Sequence, residues 1–229
     1  AVEDLQTKAL PELNTEKNIK IIPLPNWWIQ ITTPNVSAAP TDNQDFRRAV
    51  QAVLDMDDIM DAATDGNYRL NVGFQYPNQP AYTDAGKETY NLHNAKLAKE
   101  YLAKSGYQGE PVVLLTNKDY PVMYNSAVVV AEQMKSIGIK AELKVVDWPT
   151  SIQMYLKTTT GWNFFFTGYG TQPALGPLAV MQFFMPPNAA YKPSDKAGDP
   201  DLAAAWKDMN EAPDAKDRQA AFARMQKLI

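Results

Sequence analysis

Four aspartates and one histidine are the residues best suited to acid–base or metal chemistry. The aspartates Asp55, Asp57, Asp58 and Asp61 lie close together, and His93 is the single histidine of the sequence. The acids lack the central glycine and the terminal glutamate of a calcium-binding loop. Asp55 or Asp57 is instead a typical helix N-cap, and acids that follow a cap oppose the helix dipole. We therefore expect a capping role rather than a metal site here, and a solvated position for His93 in the first turn of a helix.

Other reactive groups are missing from the sequence. It has no cysteine, which excludes disulfides, thiolate nucleophiles and thiolate-bound metals. The glycine-rich, P-loop, HExxH and GxSxG motifs that carry dinucleotide, nucleotide, zinc and serine-hydrolase chemistry are also missing. We therefore predict a protein without catalytic residues or cofactor. The alternative is an α/β enzyme with a carboxylate-based centre, either in region 55–61 or in the long segment 66–90.

Composition and charge narrow the range of partners. The net charge is -4, with scattered basic residues, so the chain lacks the basic face that a nucleic acid requires. Hydrophobic residues make up 45% of the sequence and charged residues 21%, as in an ordinary folded domain. No apolar run is long enough to cross a bilayer, and the first residues, AVEDLQTKAL, lack the basic start and apolar core that are typical of a signal peptide. We expect no nucleic-acid partner, and a monomer.

Aromatic and uncharged polar side chains follow three predicted strands. The strands are Pro111–Thr116, Ile139–Val146 and the apolar run 161–170, GWNFFFTGYG, which should be a central strand covered on both faces. Carboxyl-end loops of parallel strands gather at one edge of a sheet, where open α/β sheets bind ligands. This side-chain chemistry is typical of a pocket for an organic ligand. The candidate ligand-binding residues are Asn117, Tyr120, Tyr124, Trp148, Tyr169, Gly170, Thr171 and Gln172. Trp28, at the start of an earlier strand, is either an ordinary core or surface side chain or part of a ligand platform.

The elements that position these residues alternate in type. Strand, helix, strand, helix and strand from 112 to 167 predict an open, mostly parallel sheet flanked by helices. Upstream, 19–22 and 28–31 should be strands, 33–43 a linker or hinge, and 66–90 a long irregular loop of the kind that is often functional. Helices are predicted over 45–54, 58–66, 91–106, 125–136, 148–161, 178–185, 201–211 and 214–229.

Three motifs in the same order resemble those of bacterial extracellular solute-binding proteins of family 5, which serve ABC importers of dipeptides, oligopeptides and nickel. They are DNQDFRRAVQAVLDMDDIM at 42–60, YNLHNAKLAKEYLAKSGY at 90–107, and AEQMKSIGIKAELKVVDW leading to FFFTGYG. The resemblance covers essentially the whole chain. It implies one lobe of a type II periplasmic binding protein, with lead-in strands and a hinge segment over 1–43 and the second ligand-binding lobe over 44–229, truncated before the final tail.

The resemblance also carries expectations about function. It implies capture of a small organic solute between two lobes and delivery to the membrane permease of an importer, in the periplasm or outside the cell. Tyr169 replaces the family's cleft tryptophan, and Tyr124 and Trp28 match family aromatics near the ligand. Gly170, Thr171 and Gln172 occupy the loop in which peptide-binding members place an aspartate that holds the ligand's amino group, and no acid stands there in this sequence. A ligand-sensing lobe of a receptor remains an alternative.

Overall fold

The structure, a computed structural model, describes residues 9–22, 28–171, 176 and 200–229. The strands in these ranges are β1 (Trp28–Pro34), β2 (Val112–Thr116), β3 (Ala141–Val145) and β4 (Phe164–Gly170). The helices are α1 (Leu10–Leu13), α2 (Gln44–Val53), α3 (Met56–Thr64), α4 (Ala95–Ser105), α5 (Pro121–Ser136), α6 (Trp148–Lys157), α7 (Pro200–Glu211) and α8 (Ala215–Leu228), with a 3₁₀ turn at Lys87–Thr89. The predicted helix 178–185 and the residue Gln172 lie outside the described ranges.

The strands form one mixed sheet in the order β1-β4-β2-β3. β2 pairs with β3 and with β4 in parallel, whereas β1 runs antiparallel to β4, with Trp28 opposite Gly170. The start of β1 therefore lies at the carboxyl end of β4. This arrangement confirms the predicted α/β class with an open, mostly parallel sheet.

The phenylalanine run makes β4 the central strand, as predicted. Phe164 and Phe166 enter the main core with residues of α2, α4 and α5, because alternate side chains of a strand point to opposite faces. Phe165 points the other way and packs with Trp162 of the preceding loop and Tyr155 of α6. Both faces of β4 are thus covered. A further cluster joins α7 and α8 through Ala205, Met209, Ala221, Phe222 and Met225.

Two buried asparagines hold the segment after β1 against the sheet. The Asn163 side chain accepts a hydrogen bond from the Val113 amide at 2.9 Å and donates to the Ala39 carbonyl at 3.0 Å. The Asn35 amide donates to the Asn163 carbonyl at 2.7 Å, and its side chain donates to the Trp162 carbonyl at 3.0 Å. Residues 35–41 are therefore firmly packed where they leave the sheet.

One predicted strand, before β1, and one predicted helix start, that of α5, are wrong. Residues 19–22 form no strand, and the side chains of Ile19 and Ile22 are exposed. The helix predicted from Asn125 begins at Pro121, because proline at the first helical position has a suitable φ and needs no N–H donor there. The polar turn after β2 is correspondingly shorter than the sequence suggested.

The cap of α4 and the place of His93 also differ from expectation. Asn94, not Asn91, caps this helix by accepting from the Leu97 amide at 3.0 Å, while Asn91 accepts from the Met56 amide at 2.8 Å. His93 precedes the helix in the left-handed region, with φ at 43°, and its Nδ1 lies 2.8 Å from Asp55 Oδ2. The expectation that Asp55 or Asp57 caps a helix is confirmed for Asp55 at α3.

Candidate functional site

The described candidate residues all lie at the carboxyl end of the parallel strands. Tyr169, Gly170 and Thr171 end or follow β4, and Trp28 begins its antiparallel neighbour β1. The segment 117–124 follows β2, and Trp148 follows β3. The topology thus collects segments that are far apart in the sequence at one edge of the sheet.

Asn117 organises the turn between β2 and α5. Its side chain is buried, its Oδ1 accepts from the Tyr120 amide at 3.0 Å, and its Nδ2 lies 3.3 Å from the Met123 sulfur. This side chain is committed to the turn. Asn117 therefore fixes the direction in which Tyr120 leaves the sheet.

Trp148 connects the turns that follow β2 and β3. Its amide donates to Asp119 Oδ2 at 2.6 Å, and its indole meets the Tyr120 ring edge-on, with centroids 5.2 Å apart and an interplanar angle of 77°. The indole also stacks on Phe165 at 6.1 Å. Tyr120 is 37% exposed, so this aromatic pair presents a partly open face above a core phenylalanine. The predicted meeting of these two turns is present.

Tyr124 lies in the first turns of α5 and is partly buried. The Lys118 ammonium lies 4.8 Å from the centre of its ring, within the range of a cation–π contact. Lys118 itself is exposed. The ring and the ammonium together place an aromatic surface and a positive charge beside the turn that carries Tyr120.

Trp28 and Tyr169 lie on opposite faces of the sheet. Trp28 is opposite Gly170 in the ladder, so its side chain shares a face with Gly168 and Gly170, and Tyr169 points to the other face. A Cβ atom at Gly168 would overlap the Trp28 indole, which is 49% exposed. Tyr169 packs against the α7–α8 cluster, and burial raises the pKa of its phenol. Trp28 is thus the more accessible of the two aromatics.

Two residues of the long loop reach the same end of the sheet, and residue patterns alone did not single them out. The Tyr76 hydroxyl donates to the Trp28 carbonyl at 2.9 Å. The Gln79 side chain donates to the Thr171 carbonyl and accepts from the Tyr76 amide at 2.6 Å. Tyr76, Gln79 and Thr171 are all buried. The only signal in the sequence was the unusual length of the loop 66–90.

The chemistry of these residues is that of stacking and hydrogen bonding. Asp147, the acid next to Trp148, caps α6 by accepting from the Thr150 amide at 2.8 Å, and this bond lowers the pKa of its carboxyl. Asp119 accepts a hydrogen bond from the Trp148 amide, so Asp119 and Asp147 both serve local structure. No group of three or more histidine, aspartate or glutamate side chains with metal-binding geometry occurs among the described residues. Within those ranges, no helix is both long and apolar enough to cross a membrane.

Comparison with solved structures shows the same fold in binding proteins. The oligopeptide-binding protein AppA from Bacillus subtilis, in complex with a nonapeptide, superposes with a TM-score of 0.82 at 19% identity, over 98% of this chain and 47% of that one. NikA from Staphylococcus aureus, in complex with Ni(L-His)2, gives a TM-score of 0.82 at 20% identity, over 98% and 47% of the two chains. At these identities the likeness establishes the fold.

Sequence comparison finds relatives that are also named as binding proteins. A probable peptide ABC transporter periplasmic-binding protein from Sinorhizobium fredii is 28% identical over 167 residues, 69% of this chain and 31% of the relative. The glutathione-binding protein GsiB of Salmonella typhi is 26% identical over 206 residues, 85% of this chain and 40% of the relative. The chain thus spans less than half the length of these relatives.

The family model described as "Bacterial extracellular solute-binding proteins, family 5 Middle" matches residues 1–192, which is most of the chain. The motifs at 42–60 and 90–107 fall within this match, as does the strand β4. The match confirms the resemblance seen in the sequence: this chain belongs to the bacterial extracellular solute-binding proteins of family 5.

Proposed function

We propose that this chain is the second lobe of a two-lobe protein that captures a small organic solute for an ABC importer. In this proposal, residues 1–43 form the lead-in and hinge segment and 44–229 the lobe. The solute is held between the lobes outside the cytoplasmic membrane and is passed to a membrane permease by one monomeric binding protein. Family membership and the names of the relatives support this role. They also favour a binding protein over the carboxylate-based enzyme.

One observation carries the proposal: aromatic and uncharged polar residues of three separate segments lie at the carboxyl end of the sheet, and two of these segments are in contact there. Tyr120 and Trp148 form a partly open aromatic pair, and Trp28 lies half exposed over Gly168. Rings of this kind supply contact area and stacking for an organic ligand. Asp119 and Asp147 both accept hydrogen bonds from backbone amides, and no nucleophile–base pair is needed to explain the arrangement.

Roles follow from the geometry of each residue. We assign direct ligand contact to Trp28, Tyr120, Tyr124 and Trp148, and backbone hydrogen bonding to Gly170. Asn117, whose side chain bonds within its own turn, and Thr171, whose carbonyl accepts from Gln79, support the contact residues. Tyr169 and Gln172 complete the proposed site, the first from the partly buried side of β4 and the second from the segment that follows Thr171.

Lobe closure would bury the solute from both sides, and this predicts a large difference between the whole protein and the single lobe. Native mass spectrometry with a defined pool of short peptides measures it. We expect the full-length protein to retain members of the pool, and this 229-residue chain to bind the same peptides at least about 100-fold more weakly. Equal affinity of the two proteins would contradict the two-lobe site. Retention of no peptide by the full-length protein would contradict a peptide-like solute.

A further inference from the structure

The long loop 66–90 is hydrogen-bonded to two parts of the molecule, the sheet and α8. At one end, Tyr76 and Gln79 contact the backbone of β1 and of the segment after β4. At the other end, Gln219 and Gln226 of α8 donate to backbone carbonyls of the same loop, at Tyr82, Thr83 and Ala85. The loop is therefore held by hydrogen bonds to two different elements.

The contacts at the sheet converge on two carbonyls that are neighbours in space. Trp28 is the first residue of β1 and pairs with Gly170, and Thr171 directly follows that pair. Tyr76 holds the Trp28 carbonyl at 2.9 Å, and Gln79 holds the Thr171 carbonyl. The end of a ladder is the place where strands fray. The two side chains bond backbone carbonyls at this end of the β1–β4 ladder.

Gln79 also links the two contacts to each other. Its Oε1 accepts from the Tyr76 amide at 2.6 Å while its Nε2 donates to Thr171, so one side chain sets the spacing between the loop and the sheet. Gln79 is 4% exposed and Tyr76 is 7% exposed. Bonds at this depth are shielded from water and hold their geometry better than surface bonds.

We propose that Tyr76 and Gln79, which we name the Tyr76–Gln79 clamp, are positioning residues for the ligand site at the ends of β1 and β4. This inference rests on the proposed function, since it assumes that Trp28 faces the solute. The clamp holds the backbone of Trp28 so that the indole stays over Gly168, and it holds Thr171 so that the following loop leaves the sheet in one direction. Preorganisation of this kind increases affinity because less ordering is needed on binding.

The test compares two glutamines of the same loop system in the full-length protein. Gln79→Met removes both clamp bonds of Gln79 at nearly constant volume. Gln226→Met is the matched control, because it removes the α8 donor to the loop carbonyls of Thr83 and Ala85 and leaves the bonds of Tyr76 and Gln79 in place. Tyr76→Phe removes only the hydroxyl that contacts Trp28.

Amide hydrogen exchange rates at the ends of β1 and β4 test the clamp in the absence of ligand. In Gln79→Met we expect exchange at Ile29 and Tyr169, the last hydrogen-bonded pair of the β1–β4 ladder, to be about tenfold faster, while Val113 and Leu114 in the other half of the sheet keep their wild-type rates. Gln226→Met should leave exchange at Ile29 and Tyr169 unchanged. Unchanged exchange in Gln79→Met, or equal acceleration in Gln226→Met, overturns the clamp.

Affinity for the peptide pool then tests the positioning role. We expect about a tenfold loss for Gln79→Met, a smaller loss for Tyr76→Phe and wild-type affinity for Gln226→Met. Faster exchange with unchanged affinity would refute the positioning role but leave the ligand assignment intact. A wild-type protein that retains no peptide counts against the proposed function, and the exchange comparison then decides the clamp by itself.

Discussion

Replacement of Gly168 by alanine should displace the Trp28 indole from the sheet. The backbone of Gly168 is not in the left-handed region, so alanine is allowed by its angles, but a Cβ there would overlap the indole. Glycine is thus required at position 168 because the Trp28 indole leaves no room for a side chain. Because Trp28 is the first residue of β1 and its side chain is 49% exposed, we expect the ring to swing outward rather than the strands to separate.

The loss in the free energy of unfolding follows from the buried apolar area of the indole that becomes exposed. A tryptophan side chain buries about 150–250 Å² when covered, and half of that at about 25 cal/mol per Å² is worth roughly 2.5 kcal/mol as an upper value. Alanine recovers about 0.5–1 kcal/mol relative to glycine within a strand. The expected net loss in the free energy of unfolding is therefore about 1.5–2 kcal/mol.

Urea denaturation of a double-mutant cycle measures this loss and its cause. In a Trp28→Ala background the overlap no longer exists, so Gly168→Ala should be neutral or stabilising by about 0.5 kcal/mol. The coupling between the two positions should be about 2 kcal/mol. An equal loss in both backgrounds would refute the reasoning, because the cost would then come from the strand itself and not from the indole.

Three further predictions concern stability. Asn163→Ala should lower the free energy of unfolding by about 3 kcal/mol in urea titrations, since it leaves buried backbone groups unpaired; the exposed Asn210→Ala is the control, and equal losses would contradict the role of Asn163. Asp55→Ala should cost about 1–2 kcal/mol in thermal melts by removing the α3 cap; Asp58→Ala should cost less than half of that, and the reverse order would be inconsistent with the cap. Burial raises the pKa of Tyr90 from 10.0 to about 12, so its contribution to stability is complete below pH 10 and is lost as the pH rises towards 12. Urea midpoints of Tyr90→Phe should therefore fall less steeply over that range, and parallel curves would count against this assignment.

The architecture was predictable from local patterns. The run Phe164–Phe166, bounded by glycines, indicated a strand buried on both faces, and the two core clusters on either side of β4 agree with it. Asp55 was recognisable as a cap from its type and from the acids that follow it. Such features depend on neighbours within one or two turns, which the sequence displays directly.

Choices between similar local signals were harder to predict. Asn91 and Asn94 are both suitable caps for α4, and the structure uses Asn94 because Asn91 bonds to the Met56 amide of α3. Residues 19–22 have strand composition, yet in the described residues they gain no partner strand. Each outcome depends on which distant segment competes for the same group.

The candidate site likewise has some features that local patterns predict and others that depend on distant parts of the chain. The topology rule predicted that the turns after β2 and β3 meet, and Tyr120 and Trp148 do so. The contact between Gln79 and Thr171 joins residues separated by 92 positions, and no local pattern marks a glutamine for that role. The opposite orientations of Trp28 and Tyr169 required the register of β1 against β4, which is a tertiary property.

Fluorine NMR of the full-length protein labelled with 5-fluorotryptophan tests the central claim most directly, with the same peptide pool as the probe. Trp28 and Trp148 lie at the carboxyl end of the sheet, whereas Trp162 precedes β4 and is 4% exposed in the core. We predict that bound peptide shifts the signals of Trp28 and Trp148 and leaves that of Trp162 in place. Binding that leaves Trp28 and Trp148 unshifted would contradict a ligand site at this edge of the lobe.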